Sequence, residues 1–347
     1  MTERVAVVGS GVAGLCCAYT LLEAGYQVEI ITASKGPDEQ CCSWWAGGML
    51  APYCEQESAE PLVETLGLES MAFWQSFTTQ QRLAYHAKGS LVVAAPRDQS
   101  LLGQFAEQTQ GGEWLDPSQT SELEPDLAHL GRALWFANEA HMDPRKVITS
   151  LWEVCQQLGA KVQTNRRLSQ EQIEKHAQGV DWLIDCRGLS ASESLTDLRG
   201  VKGEMLHLYC PDVELSRSIR LVHPRHPIYL VPRPDHVFML GATMLEVNDS
   251  RRATVRSVLD LLSAAYAINP AFAEAEIIEI GVDARPAFDD NLPKIKVSGN
   301  RVSANGLYRH GFLAAPALAR RVLDYVKLGQ RCSDVFDESE VLDANCA

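Results

Sequence analysis

Apolar residues fall along this chain in short runs whose spacing switches between strand and helix periods. Arg4 to Val8 is a compact apolar run, followed by the glycine turn Gly9-Ser10-Gly11. From Val12 to Ala24 apolar residues occupy most faces of a helix, Gly25 stops it, and Gln27 to Thr32 alternates like a strand. Strand, turn, helix and strand in that order predict a βαβ opening and a parallel sheet with a right-handed crossover. Helical spacing returns over residues 58–87 through Leu62, Leu66, Met71, Phe73, Trp74 and Phe77. The segment 88–140 is mixed, with a strand at Ser90 to Ala95 and an acidic, proline-punctuated stretch around Asp116 to Asp126.

Asp143 and Pro144 supply an N-cap and a first-turn proline for a helix reaching Leu158. Strands are predicted within 158–163 and 180–188, and residues 201–244 are rich in them. A helix is expected over 250–267, strands near Ile277 to Ile280 and Arg301 to Ser303, and a last helix from Gly311 to Leu328. The polar tail after Gln330 reads as frayed. Elements of the βαβ type occur at the beginning, middle and end, so two interleaved domains are expected rather than two consecutive ones.

The 347 residues are 46% hydrophobic and 22% charged, with a formal net charge of −14. This is a globular composition, long enough for about two domains. The negative excess argues against nucleic acid or an anionic membrane as partner, since both need clustered Lys and Arg. A local arginine can still hold a small anion. No run reaches the ~18 apolar residues of a membrane span. Met1-Thr2-Glu3-Arg4 leads into no signal-type apolar region, so a cytoplasmic location is expected. The ten cysteines include the pairs Cys16-Cys17 and Cys41-Cys42 but no CxxC and no Cys/His ligand spacing, which points to reduced thiols and no metal.

Gly9-Ser10-Gly11-Val12-Ala13-Gly14 is GxGxxG between a strand and a helix. The first glycine permits the tight turn, the second lets a pyrophosphate reach the backbone, and the third allows close helix–strand packing. The helix start adds unpaired N–H groups and partial positive charge. A dinucleotide is the expected ligand. The acidic residue that holds its ribose should end the second strand, yet Thr32 stands there and Glu29 lies too early. Thr32 and Ala33 are left as candidates for that role.

Gly47-Gly48-Met49 follows about thirty residues on, a small-residue turn over which a flat ring could pass without side-chain clash. Together with HMDPRKV, VKGEMLHL, YLVPR, LGATM, DARPAF and YRHGFLAAP, in this order, it resembles the D-amino-acid oxidase family of flavoproteins, and within it the glycine oxidases of bacterial thiamine biosynthesis. The resemblance covers nearly the whole chain. It implies a Rossmann-type FAD-binding α/β domain over 1–87, 140–200 and 285–347, interleaved with an antiparallel-sheet α+β substrate domain over 88–139 and 201–284.

It also implies non-covalent FAD held by Gly9, Gly11, Val12, Ala13, Gly14, Thr32, Ala33, Cys42, Ser43, Gly47, Gly48 and Met49. Leu168 would offer backbone to the adenine. Leu307, Tyr308, Arg309, His310, Gly311, Phe312 and Leu313 would line the flavin, and the helix start at Gly311 would favour negative charge at its edge. No cysteine near this last motif matches a covalent attachment point; Cys332 and Cys346 lie in the tail.

For the substrate, the resemblance assigns Arg285 to the carboxylate, since a guanidinium grips it bidentately. On the residues alone, Arg285 reads first as a solvated arginine or one salt-bridged to Asp283; the carboxylate role comes from the resemblance. Tyr229 aligns with a carboxylate-binding tyrosine, although a strand tyrosine is also an ordinary core residue. Arg309 aligns with a second substrate-region residue, and Met244 with a wall of the pocket. The implied activity is oxidative deamination of glycine or another small amino acid: hydride from the α-carbon to flavin N5, imine hydrolysis to 2-oxo acid and ammonia, and O2 reduced to H2O2. A D-amino-acid oxidase or dehydrogenase, a sarcosine-type secondary-amine oxidase and a non-catalytic flavin-binding partner protein are the alternatives. A homo-oligomer is expected.

Overall fold

The computed structural model describes residues 2–337. In chain order the first elements are β1 (Arg4–Val8), α1 (Val12–Glu23), β2 (Gln27–Ile31), β3 (Met49–Leu50), α2 (Pro52–Glu55), α3 (Pro61–Gln80), β4 (Ser90–Ala94) and α4 (Gln99–Gln108). Next come β5 (Glu113–Leu115), α5 (Pro117–Leu123), β6 (Ala133–Phe136), β7 (Ala140–His141), α6 (Pro144–Gln157), β8 (Lys161–Gln163), α7 (Gln170–Ala177) and β9 (Trp182–Asp185). The chain continues through β10 (Arg199–Tyr209), β11 (Ser218–Val222), β12 (Ile228–Pro232), β13 (Val237–Gly241) and α8 (Val255–Ile268). It closes with β14 (Glu276–Ala287), β15 (Lys294–Ser298), β16 (Arg301–Asn305) and α9 (Gly311–Leu328).

One sheet runs β15-β16-β9-β1-β2-β8, parallel throughout except at β15. Its central strand β1 is apolar from Val5 to Val8 because both faces are covered. Val5 and Val7 enter the core shared with α1, α3, α6 and α9, while Ala6 and Val8 pack under α7. The other sheet runs β14-β10-β13-β12-β11-β4-β6-β5, antiparallel except where β11 meets β4. Leu206, Leu230 and Leu240 face a core closed by α8, whereas Met205, Val231 and Met239 face the opposite way, beside Trp45, Met49 and Tyr229. That second face fronts the candidate site.

The expected α/β class with a parallel nucleotide-type sheet and an antiparallel partner sheet is what the chain forms. Local differences have local causes. Helix α3 spans less than 58–87: Pro61 opens it and Arg82, at φ 55°, closes it. Helix α8 starts five residues later than expected, at Val255, because the Thr254 side chain accepts from Ser257 N–H at 3.2 Å and caps it there. Asp143 caps α6 as expected, accepting from Arg145 N–H at 3.0 Å. Beyond Gln330, residues 331–337 are docked rather than frayed: Val335 is buried and its carbonyl accepts from Ile295 N–H at 2.7 Å. Cys346 lies outside the described residues, and none of the nine described cysteines is bridged. Among the described residues, no helix is long and apolar enough to cross a membrane.

Candidate active site

A cavity of about 810 Å³ lies between the two sheets, reaching from the Gly9 turn to Arg285. One end is built by the strand–turn–helix at β1–α1. Gly9 sits at φ 116°, and a Cβ on Gly14 would collide with its carbonyl oxygen, so both glycines are demanded by the chain itself. Gly11 is different. Its φ of −72° and ψ of 175° suit any residue, and a Cβ there would meet only Cys41 Sγ at 3.3 Å and Ser43 Oγ at 3.4 Å. A Cβ there is a tight fit against two side chains that can move, and the open side of Gly11 faces the cavity.

Helices α1 and α9 begin side by side, a Cβ on Gly311 coming 3.4 Å from Val12 Cγ1. Both therefore aim their N-terminal partial positive charge into one cavity. Val12 N–H donates to Ser43 Oγ at 3.0 Å. At the end of β2, Thr32 is buried and its hydroxyl lies 2.7 Å from that of Ser10. Ala33 and Leu168 also line this end, and the Leu168 carbonyl accepts from Arg187 Nη1 at 3.3 Å.

The other end is set by register across the second sheet. Arg220 lies opposite Tyr229, Tyr229 opposite Gly241, and Gly241 opposite Met205. All four line the same face, because side chains alternate along a strand. On β14, Asp283 and Arg285 share that face by the same period of two. The Tyr229 ring is slotted between glycines: a Cβ on Gly47 would come within 2.8 Å of it, and one on Gly241 within 2.7 Å. The Gly47-Gly48-Met49 loop is thus pressed against the substrate-side sheet, with Gly48 at φ 73° and its carbonyl accepting from Met142 N–H at 3.0 Å.

Arg285 packs over Gly203 and donates from Nη1 to the Thr243 carbonyl at 3.1 Å. Among the described residues no carboxylate lies within ion-pair distance of it, Asp283 included. Burial raises the Asp283 carboxyl to about 6, with Ala284 N–H and Arg285 opposing. Burial likewise pushes the Tyr229 phenol up, offset in part by Arg285 and Arg309. Met244, half exposed at the mouth, touches Arg309 Nη1 and the Tyr308 hydroxyl, each at 3.6 Å from its sulfur. Tyr308 holds a left-handed φ of 50°, fixed by its N–H donating to the Pro286 carbonyl at 2.9 Å, and so turns Arg309 toward the cavity.

Sequence reasoning missed two residues here. Glu55, at the end of α2, is buried and takes an ion pair from Arg309 at 2.7 Å, one from Arg220, and a contact from His310 Nε2 at 2.9 Å. Burial alone would raise its carboxyl, but Arg309 and Arg220 hold it well below the usual carboxylate range. Burial keeps His310 below the usual imidazole range, against the pull of Glu55, and its Nδ1 has no partner. Nothing local marks Glu55 or Arg220. All the residues expected to bind cofactor or substrate line this one cavity except Gly14, which acts beneath it through packing.

A family model for FAD-dependent oxidoreductases, DAO, matches residues 4–325. The chain belongs to that family. Among DAO proteins it is 45% identical to one from Rhizobium etli bearing the name thiamine biosynthesis oxidoreductase ThiO, over 92% of this chain and 95% of the relative. It is 24% identical to a glycine oxidase of Geobacillus kaustophilus, over 96% of each. The crystal structure of glycine oxidase from that organism superposes with a TM-score of 0.79 at 22% identity, covering 96% of each chain, which shows a shared fold. The DAO cofactor is FAD, and the residues present suit it: two adjoining helix N-termini for the pyrophosphate, and a Gly11 that leaves the backbone open to the cavity.

Proposed function

We propose that this DAO enzyme oxidises glycine or a similarly small amino acid to the imine, which water hydrolyses to 2-oxo acid and ammonia while O2 becomes H2O2. Thiamine thiazole synthesis is the proposed context, supported by the name of the 45% identical relative. One observation carries the substrate class: Arg285 faces the cavity with a backbone carbonyl as its protein partner and no ion pair among the described residues. A partly buried guanidinium that faces a cavity and carries no ion pair is suited to bind a carboxylate.

In this reading Gly9, Gly11, Val12, Ala13, Thr32 and Ala33 hold the adenosine and pyrophosphate portion of FAD. Cys42, Ser43, the Gly47-Gly48-Met49 loop and residues 307–313 surround the flavin. Bound FAD supplies the two-electron acceptor and the route to O2. The protein's own part is positioning. Arg285 grips the substrate carboxylate, the Tyr229 hydroxyl donates a second bond to it, and Met244 screens the mouth from water. The proposed discontinuous division into FAD and substrate domains is supported by the two sheets, with β10 starting at Arg199 and β14 reaching Ala287 across its boundaries. Association of identical chains is part of the proposal, supported by exposed Val255, Leu259 and Tyr266 on α8 and Ile277, Ile278 and Ile280 on the edge strand β14.

The test is a panel of glycine, sarcosine and D- and L-amino acids offered to purified FAD-loaded protein in air, scored by peroxide. Peroxide with glycine or sarcosine well above that with large side chains is the expected outcome. Peroxide from none of them rejects the proposal.

A further inference from the structure

Two guanidiniums flank the Thr243–Met244 loop at the substrate end, and they differ in one respect. Arg285 bonds the Thr243 carbonyl and carries no ion pair among the described residues, whereas Arg309, which touches the Met244 sulfur, is paired with Glu55 at 2.7 Å and with Ser58 Oγ at 2.6 Å. Glu55 spends its second oxygen on Arg220, which projects from β11 directly across from Tyr229. A carboxylate belonging to the protein thus bridges Arg220 and Arg309 on the wall of the same cavity that presents Arg285. The Tyr229 phenol lies within electrostatic reach of all four groups.

We propose that Glu55 acts as a built-in second carboxylate: it occupies Arg309 and Arg220, so among the described residues the substrate end of the cavity offers one guanidinium without an ion pair, Arg285, and selects amino acids with one carboxylate against those with two. This rests on the amino-acid oxidase reading above and adds a specificity rule to it. The physical basis is charge balance in a desolvated space. With Glu55 in place, a substrate's first carboxylate meets Arg285, while a second would enter beside an anion already bonded to the remaining cations. Like charges brought together in a partly desolvated cavity disfavour binding. With Glu55 neutralised, Arg220 and Arg309 become two partly buried cations that have lost their shared anion, an arrangement that recruits another.

Sarcosine and iminodiacetate make the cleanest pair, since they differ by one carboxylate on the nitrogen substituent. Wild-type FAD-loaded protein should show kcat/KM for sarcosine at least tenfold above that for iminodiacetate. In Glu55→Gln, which keeps the shape and removes the charge, the ratio should move at least tenfold toward iminodiacetate, mostly through KM. Binding is measured separately by calorimetry with acetate and malonate, so that the rule is tested even if no amine is oxidised. Malonate should bind Glu55→Gln at least tenfold more tightly than it binds wild type, with acetate changed much less. Wild type that handles iminodiacetate as well as sarcosine, or binds malonate as well as acetate, overturns the proposal without any variant. So does a folded, FAD-retaining Glu55→Gln in which neither ratio moves. Peroxide from no amine together with the malonate shift would sink the oxidase reading and leave the Glu55 rule standing.

Discussion

Truncating Arg285 to alanine separates binding chemistry from fold. In the free protein the side chain makes one hydrogen bond, Nη1 to the Thr243 carbonyl at 3.1 Å, and its guanidinium lies over Gly203. Among the described residues no carboxylate loses an ion pair on its removal, so the structural cost is one neutral acceptor, about 1 kcal/mol. The functional cost is larger. A substrate carboxylate deprived of its charge-assisted partner loses on the order of 2–5 kcal/mol. At ~1.4 kcal/mol per decade that is a fall of roughly 30- to several-thousand-fold in kcat/KM. Arg285→Lys should recover only part, since an ammonium cannot form the planar fork. The assay is steady-state peroxide formation with the best amino acid, alongside FAD content and a thermal melt. Near-normal kcat/KM in Arg285→Ala with full FAD content would refute the reasoning and move the carboxylate site elsewhere.

Gly11→Val should fold, since its backbone angles suit valine and the Cys41 and Ser43 side chains crowding the new Cβ can shift by a few tenths of an ångström, but should not retain FAD; a variant that purifies with normal FAD content shows the cradle is misassigned. Tyr229→Phe removes one neutral donor and should cost about 1 kcal/mol, several-fold in kcat/KM, well short of Arg285→Ala; the reverse order in the same assay contradicts the site. Burial pushes the Glu139 carboxyl from 4.5 up to about 7, and its Oε2 has no partner, so the native state holds the proton more tightly than the unfolded chain. Stability from this group is present below pH 4.5 and lost as pH rises through 7, about 3 kcal/mol in all. Melts from pH 5 to 8 should therefore show Glu139→Gln gaining on wild type as pH rises, and parallel curves would discount the buried acid. FAD should leave the polypeptide on mild denaturation; flavin that precipitates with the chain contradicts non-covalent binding.

Local signals were legible and long-range ones were not. The Gly9 turn, the Asp143-Pro144 cap and the start of α9 are each written in a few consecutive residues, because turns and caps are satisfied by neighbours. Helices α5 and α7 were equally marked, by the capping boxes Asp116 with Gln119 and Ser169 with Gln172, yet lay in polar stretches where periodicity is weak. Strands β11 and β15 are short and gain their place from pairing, which the chain does not announce. Glu55 had no such mark at all. Its partners Arg220 and His310 stand 165 and 255 residues away in sequence, so only the folded sheet brings them together. The resemblance supplied Arg285, Tyr229 and Arg309, but not the fact that one arginine is free and the other engaged.

The central claim is that a bound flavin oxidises a small amino acid whose carboxylate is held by the Arg285 guanidinium in the same cavity. Anaerobic mixing of the purified FAD-loaded protein with glycine, followed in the visible flavin band, tests it most directly. The account predicts that the band bleaches with glycine or sarcosine, returns on admitting air, and bleaches far more slowly in Arg285→Ala at equal FAD content. A band that dithionite bleaches but no amino acid touches would contradict it.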